Sequence, residues 1–206
     1  MLLELTEVLS CPACGPEHGF VAFVDRLEKG SILQGRLDCP QCERRHRVVD
    51  GVLYITEERS GEAEALELPA AAELASALLG VPPGPEVLLL GPGLDGLAAG
   101  LAGERPAASL LCLTAVPAAP ADRVHPIVAD ETRTLPFRSA RIHGAVLRGG
   151  TAVGPAEIVR VLAPGARIVI LEPGPELLGF EAFGTVSAVA SDSRAAVLVA
   201  SPLSAV

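Results

Sequence analysis

From residue 86 onward the chain alternates short, unbroken aliphatic runs with stretches rich in glycine and other small residues. The runs at 87–90, 109–114, 125–128, 142–147 and 166–171 are rich in Val, Leu, Ile and Ala, with apolar residues on both faces of each strand. Strands of that kind belong to a mostly parallel sheet covered by helices. Two further runs, 185–190 and 195–200, are separated only by Ser191-Asp192-Ser193-Arg194. That link is too short for a helical crossover, so this last pair must run antiparallel. The first quarter follows another pattern. Stretches 19–24 and 33–37 read as two strands of a hairpin, and 44–55 reads as strand, Asp50-Gly51 turn, strand. Between the two regions, the acidic stretch 57–67 reads as a linker entering a helix over 69–79. Pro69 stands in its first turn, Leu74, Ala77 and Leu78 share one face, and Gly80 is the stop. Val81-Pro82-Pro83-Gly84-Pro85 then forms a rigid turn. The class is α/β, in three segments: a β-rich unit at 1–58, a linker and helix at 59–84, and an α/β unit at 85–206.

Four cysteines fall into two Cys-x-x-Cys pairs inside the β-rich unit, Cys11/Cys14 and Cys39/Cys42. Such a turn aims two thiolates at one spot, and two turns supply the four soft ligands of a structural zinc site. Pro12 and Pro40 stiffen the turns, and Gly15 can take the positive φ that such a knuckle needs. The hairpin between the pairs brings them together as a zinc ribbon. Disulfides and a redox dithiol are the competing readings, and the duplicated pair favours zinc. The fifth cysteine, Cys112, lies in the apolar run Leu110-Leu111-Cys112-Leu113 and reads as a small buried hydrophobe.

Composition narrows the partners. Half of the 206 residues are hydrophobic, enough for a sizeable core, and that core must be aliphatic because only 3% are aromatic. A formal net charge of −9 argues against nonspecific phosphate binding, so a nucleic-acid partner is not expected. Arg44, Arg45 and Arg47 with His46 make a small basic patch, but no aromatic stacking platform accompanies it, and it reads as a solvated hairpin face. Residues 1–10 lack the basic cluster of an export signal, and no apolar run approaches the ~18 residues of a membrane span. A cytoplasmic protein without membrane insertion is the expectation.

The residues of the α/β unit carry a resemblance to class I S-adenosylmethionine-dependent methyltransferases. Val87-Leu88-Leu89-Leu90-Gly91-Pro92-Gly93 is similar to the strand and glycine-rich turn of that family's first motif. Ala129-Asp130-Glu131 with Leu135-Pro136-Phe137 resembles its Asp-Ala…Leu-Pro-Phe stretch. Ile142-His143-Gly144-Ala145-Val146 stands where it has Phe-Asp-Ala-Val-Val. Glu157-Ile158-Val159-Arg160-Val161-Leu162-Ala163-Pro164-Gly165 resembles its Glu-x-x-Arg-Val-Leu-x-Pro-Gly. The resemblance covers about 80–206 and implies a methyltransferase-like Rossmann domain. It also implies that Gly91, Gly93 and Asp130 would contact any S-adenosylmethionine bound. The ribbon, with Cys-Pro-x-Cys-Gly at 11–15 and Asp-Gly-Val-Leu-Tyr-Ile at 50–55, resembles small zinc-ribbon proteins that activate methyltransferases as partner subunits. Similar ribbons occur fused ahead of methyltransferase domains.

Departures from the family pattern shape the functional expectation. The family meets the cofactor's ribose with a carboxylate at the end of the second strand, whereas here Thr114 stands near that position and no acid follows until Asp122. Asp95 occupies the place of a third glycine, unless Gly96 substitutes in a turn one residue longer. His143 is the nearby titratable group that could serve as a base. The leading reading is a zinc-binding, methyltransferase-derived protein with impaired or lost cofactor binding, acting as a structural or partner-binding subunit. Its partner would be another protein or a second copy, docked on an apolar surface such as the closing hairpin. Alternatively, the ribbon folds over that hairpin within one chain. The second functional reading is a working methyltransferase with an unorthodox ribose site, and a distant third is an RNA-associated module.

Overall fold

The computed structural model describes residues 1–56, 71–80, 84–114, 120–129, 134–175, 177–181 and 186–200. In chain order the elements are β1 (Val21–Glu28), β2 (Ser31–Asp38), β3 (Arg45–Val49), β4 (Val52–Tyr54), α1 (Ala71–Leu79), β5 (Glu86–Leu90), α2 (Asp95–Glu104), β6 (Ala108–Thr114) and β7 (Val124–Val128). They continue with β8 (Ile142–Arg148), α3 (Pro155–Val161), β9 (Leu162–Leu171), α4 (Leu177–Glu181), β10 (Val186–Ser191) and β11 (Ala195–Ala200). A single 3-10 turn, Leu3–Glu7, precedes β1.

All eleven strands form one sheet, in the order β1-β2-β3-β4-β7-β6-β5-β8-β9-β11-β10. Strands β7, β6, β5, β8 and β9 are parallel neighbours, and β11 and then β10 close the sheet antiparallel. Order and sense together give the methyltransferase-like α/β fold, a largely parallel sheet with an antiparallel terminal hairpin. The strand order reverses between β5 and β8, which places a crevice outside their carboxyl ends.

The ribbon strands β1 to β4 are antiparallel among themselves, and β4 then pairs parallel to β7, with Leu53 opposite Ile127 and Tyr54 opposite Val128. The small unit is therefore welded to one edge of the large sheet. Five strands separate β4 from β11, so the ribbon does not fold over the closing hairpin; that alternative fails on the strand order. The outer strand of the hairpin is exposed after Val186, while β11 is buried between β9 and β10.

Local chemistry accounts for the turns. Asp50 and Gly51 both have positive φ (49° and 80°), the paired left-handed geometry of a type I′ hairpin turn. Lys29 and Gly30 repeat it (48° and 80°), which lengthens the first hairpin to 21–38, beyond the strands that its hydrophobic runs suggest. The expected helix is present over Ala71–Leu79 and stops at Gly80, at φ 78°; residues 69 and 70 lie outside the described residues.

Apolar layers lie on both faces of the sheet. One joins Leu5, Leu9, Leu37 and Leu53 of the ribbon region to Phe137, Ile158 and Phe180. The other packs α1 and α2 onto Leu88, Leu90, Leu110 and Val169. Arg105, buried beyond α2, pairs with buried Glu86 and donates to the carbonyls of Ser76 and Gly80. It thereby satisfies orphan carbonyls at the end of α1 and ties both helices to the sheet. None of the described helices is long and apolar enough to cross a membrane.

Candidate metal centre and cofactor turn

Cys11, Cys14, Cys39 and Cys42 converge. Their Sγ atoms all lie within 4.8 Å of one another, with Cys11–Cys42 and Cys39–Cys14 each at 3.7 Å. A disulfide needs about 2.05 Å, so these are free thiols at non-bonded distance. Four sulfurs placed about 2.3 Å from a common tetrahedral centre stand roughly 3.8 Å apart, close to the separations found here. The donor set and its geometry therefore fit zinc. With four protein ligands such an ion would act as a structural cross-link.

The two knuckles are built alike. Gly15 N donates to Cys11 O at 2.9 Å, and Glu43 N donates to Cys39 O at 2.9 Å. Gly15 sits at φ 101°, as the sequence suggests, and Glu43 takes the corresponding position at φ 58° without a glycine. Backbone N–H groups of Ala13 and Cys14 face the Cys11 sulfur, and those of Cys42 and Gln41 face Cys39. Burial raises the Cys39 thiol, but those N–H groups prevail and bring it down to about 7. Cys14, crowded first by the Cys42 thiol and then by burial, is pushed up to about 12.

The basic patch resolves into separate roles. Arg44, Arg45 and Arg47 are exposed, with Arg47 over the Tyr54 ring at 5.0 Å, whereas His46 is buried. His46 packs edge-on to Phe20, and its Nδ1 lies 3.2 Å from the carbonyl of Ile55. The alternation in Arg45-His46-Arg47-Val48 carries the signal, since a period of two turns His46 and Val48 inward.

At the crevice, Gly91 follows β5, and its N–H bonds the Val146 carbonyl of β8 at 2.8 Å. A Cβ there would stand 3.0 Å from the Leu147 side chain. Gly93 has φ 76° and turns the chain into α2, so both glycines stand at the turn where the sequence puts them. Asp130 and the residues after Thr114 (115–119) lie outside the described residues. Asp95 opens α2, and its carboxylate takes a hydrogen bond from Thr114, the last residue of β6. Its Oδ1 is buried with no hydrogen-bond partner among the described residues, and burial raises the acid above the usual carboxylate range. Cys112 beside it is buried, its thiol pushed up to about 12 by burial and by Asp95, as suits an inert small hydrophobe.

His143 is at the other end of the molecule. It enters β8 and accepts a hydrogen bond from Val87 N at 3.0 Å, at the start of β5 rather than its carboxyl end. The distance along β8 removes it from the crevice. The two motif segments further on meet each other instead. Glu157 accepts from Leu135 N at 2.8 Å, and Arg160 donates to Phe137 O at 2.7 Å and Leu135 O at 3.2 Å. The Glu-x-x-Arg pattern is thus a clamp on the Leu-Pro-Phe loop. Between the first cysteine knuckle and the carboxyl ends of β4 and β7 lies a cavity of about 680 Å³, which sequence reasoning does not reveal.

No protein-family model matches the chain, nor does any curated protein. Solved structures with a similar fold include the antibiotic-resistance methyltransferase Kmr, at 13% identity and TM-score 0.45 over 68% of this chain and 98% of that one. A putative S-adenosyl-L-methionine-dependent methyltransferase from Methanococcus maripaludis aligns at 16% identity and TM-score 0.48 over 66% and 85%. Geranyl diphosphate C-methyltransferase from Streptomyces coelicolor aligns at 23% identity and TM-score 0.41, over 49% of this chain and 44% of that one. The chain thus spans less than half the length of that enzyme. The fold assignment rests on the strand order and sense described above.

Proposed function

We propose that this chain is a methyltransferase-derived, zinc-stabilised protein with weakened S-adenosylmethionine binding that serves as a partner-binding subunit. The observation that carries the reading is the Asp95–Thr114 contact. A ligand that uses a glycine-rich turn needs its helix N-terminus open, because the N–H groups and the dipole there meet the ligand's oxygens. Asp95 puts a side-chain carboxylate at that position, bonded to the residue that stands near the family's ribose acid. The cofactor would have to displace this carboxylate, and its own carboxylate would meet a like charge. The exposed apolar side chains of β1, Val21, Phe23, Val24 and Leu27, support a protein partner or self-association, since β1 is an edge strand among the described residues and an exposed apolar edge is a template for association. Calorimetric titration with S-adenosylmethionine tests the cofactor half of the reading. A dissociation constant at or above about 100 µM, roughly 5.5 kcal/mol, is expected. Low-micromolar binding would overturn it.

One observation favours the second reading, a working methyltransferase. Asp95 Oδ1, which has no partner among the described residues, offers a carboxylate oxygen to a ribose hydroxyl beside the end of β6, supplied from α2 instead of from the strand. Both readings thus turn on the same residue, with opposite consequences for its removal.

A further inference from the structure

We infer that the cavity between the first cysteine knuckle and the carboxyl ends of β4 and β7 is a binding site for a small anion that also carries a hydrogen-bond donor, a carboxylate or a phosphate monoester. Its lining includes none of the glycine-turn residues, and Ala129 is its one neighbour in sequence to Asp130. Its volume of about 680 Å³ suits a small metabolite. Five segments converge on it: Pro12 from the knuckle, Arg44 and His46 at β3, Thr56 beyond β4, Ala129 after β7, and Glu157 on α3.

The polar inventory of the wall defines the ligand. Glu157 is spoken for, with both carboxylate oxygens bonded by Arg160 and one of them also by Leu135 N. Arg44 forms no ion pair among the described residues, which leaves its guanidinium as the uncompensated charge on the described wall. His46 is 6% exposed. Because a carbonyl only accepts, Nδ1 carries the hydrogen toward Ile55 O, and Nε2 is left with a lone pair. That Nε2 is buried and has no partner among the described residues. Burial, with nearby Arg44, outweighs the Ile55 and Tyr54 carbonyls and Asp38 and lowers the ring's pKa, which favours the neutral form with Nε2 as an acceptor. Among the described residues, Arg44 supplies a cation and His46 Nε2 an acceptor to this wall, which suits a ligand with an anionic group at one end and an O–H or N–H at the other. The knuckle that supplies Pro12 also ties the pocket's shape to the cysteine centre.

The full, zinc-loaded chain, free of S-adenosylmethionine, is titrated with inorganic phosphate and separately with citrate, with sodium chloride at matched ionic strength as reference. The His46 ring signals are followed by NMR and the melting midpoint is followed in parallel. The expected result is saturable movement of the His46 signals at millimolar concentrations of at least one anion, with a raised midpoint. Arg44→Ala, at an exposed position, should weaken that binding tenfold or more, and His46→Phe should weaken it while keeping the packing against Phe20. A response to phosphate alone assigns phosphate monoesters, and a response to citrate alone assigns carboxylates. No response beyond chloride, or binding unchanged in Arg44→Ala, would overturn the inference.

Discussion

Leu53 of β4 lies opposite Ile127 of β7 in parallel register, and through this pair a cysteine-rich antiparallel unit becomes the edge of a parallel sheet. Both residues are fully buried in a core that also takes Leu37 and Phe137. The unit that bears the cysteine centre and the methyltransferase-like sheet therefore share one apolar layer, and the stability of each bears on the other.

The first prediction concerns that coupling. Purified protein should carry about one zinc per chain, and Cys39→Ser should release it. Structural zinc contributes on the order of 10 kcal/mol or more to small sites. Loss of the ion should therefore lower the melting midpoint of the whole sheet as well as disorder 1–56. Metal analysis with thermal unfolding checks both; absence of metal in the unaltered protein would contradict the assignment.

Arg105 gives a second test. Its buried pair with Glu86 and its bonds to the α1 carbonyls leave no solvent to take over if the guanidinium is lost. Arg105→Ala should cost about 3–5 kcal/mol, measured by denaturant unfolding, because an unpaired carboxylate stays buried. Replacing both partners by apolar residues should cost less.

The third concerns pH. His125 is buried in β7, its Nε2 has no partner among the described residues, and its pKa is lowered from 6.5 to about 3, chiefly by burial. A base whose folded pKa is depressed binds fewer protons folded than unfolded. Its contribution is thus intact above pH 6.5 and lost as pH falls toward 3. Linkage puts the loss near pH 3 on the order of 5 kcal/mol. His125→Leu should flatten the acid limb of a stability–pH profile; an unchanged limb would contradict the assignment.

Much of this was legible locally. The paired cysteines, the Asp50-Gly51 turn and the aliphatic strands are short-range signals, and the structure has them at the expected places. The junction of Leu53 with Ile127 was not legible, because it joins residues far apart in sequence and no local pattern marks which edge strand a short run will meet. The Lys29-Gly30 turn was missed because lysine is not a usual residue at positive φ. The inward turn of His46 was written in the alternation of β3 but masked by its arginine neighbours. The Glu157–Arg160 clamp could be recognised as a motif, while its partners at Leu135 and Phe137 needed the fold.

The most direct test of the central claim is S-adenosylmethionine calorimetry on the unaltered chain beside Asp95→Gly and Asp95→Asn. If Asp95 obstructs the turn, the unaltered protein binds at or above about 100 µM and Asp95→Gly tightens binding at least tenfold, about 1.4 kcal/mol. Low-micromolar binding by the unaltered chain, abolished by either substitution, would contradict the account and make Asp95 the ribose ligand of a working methyltransferase.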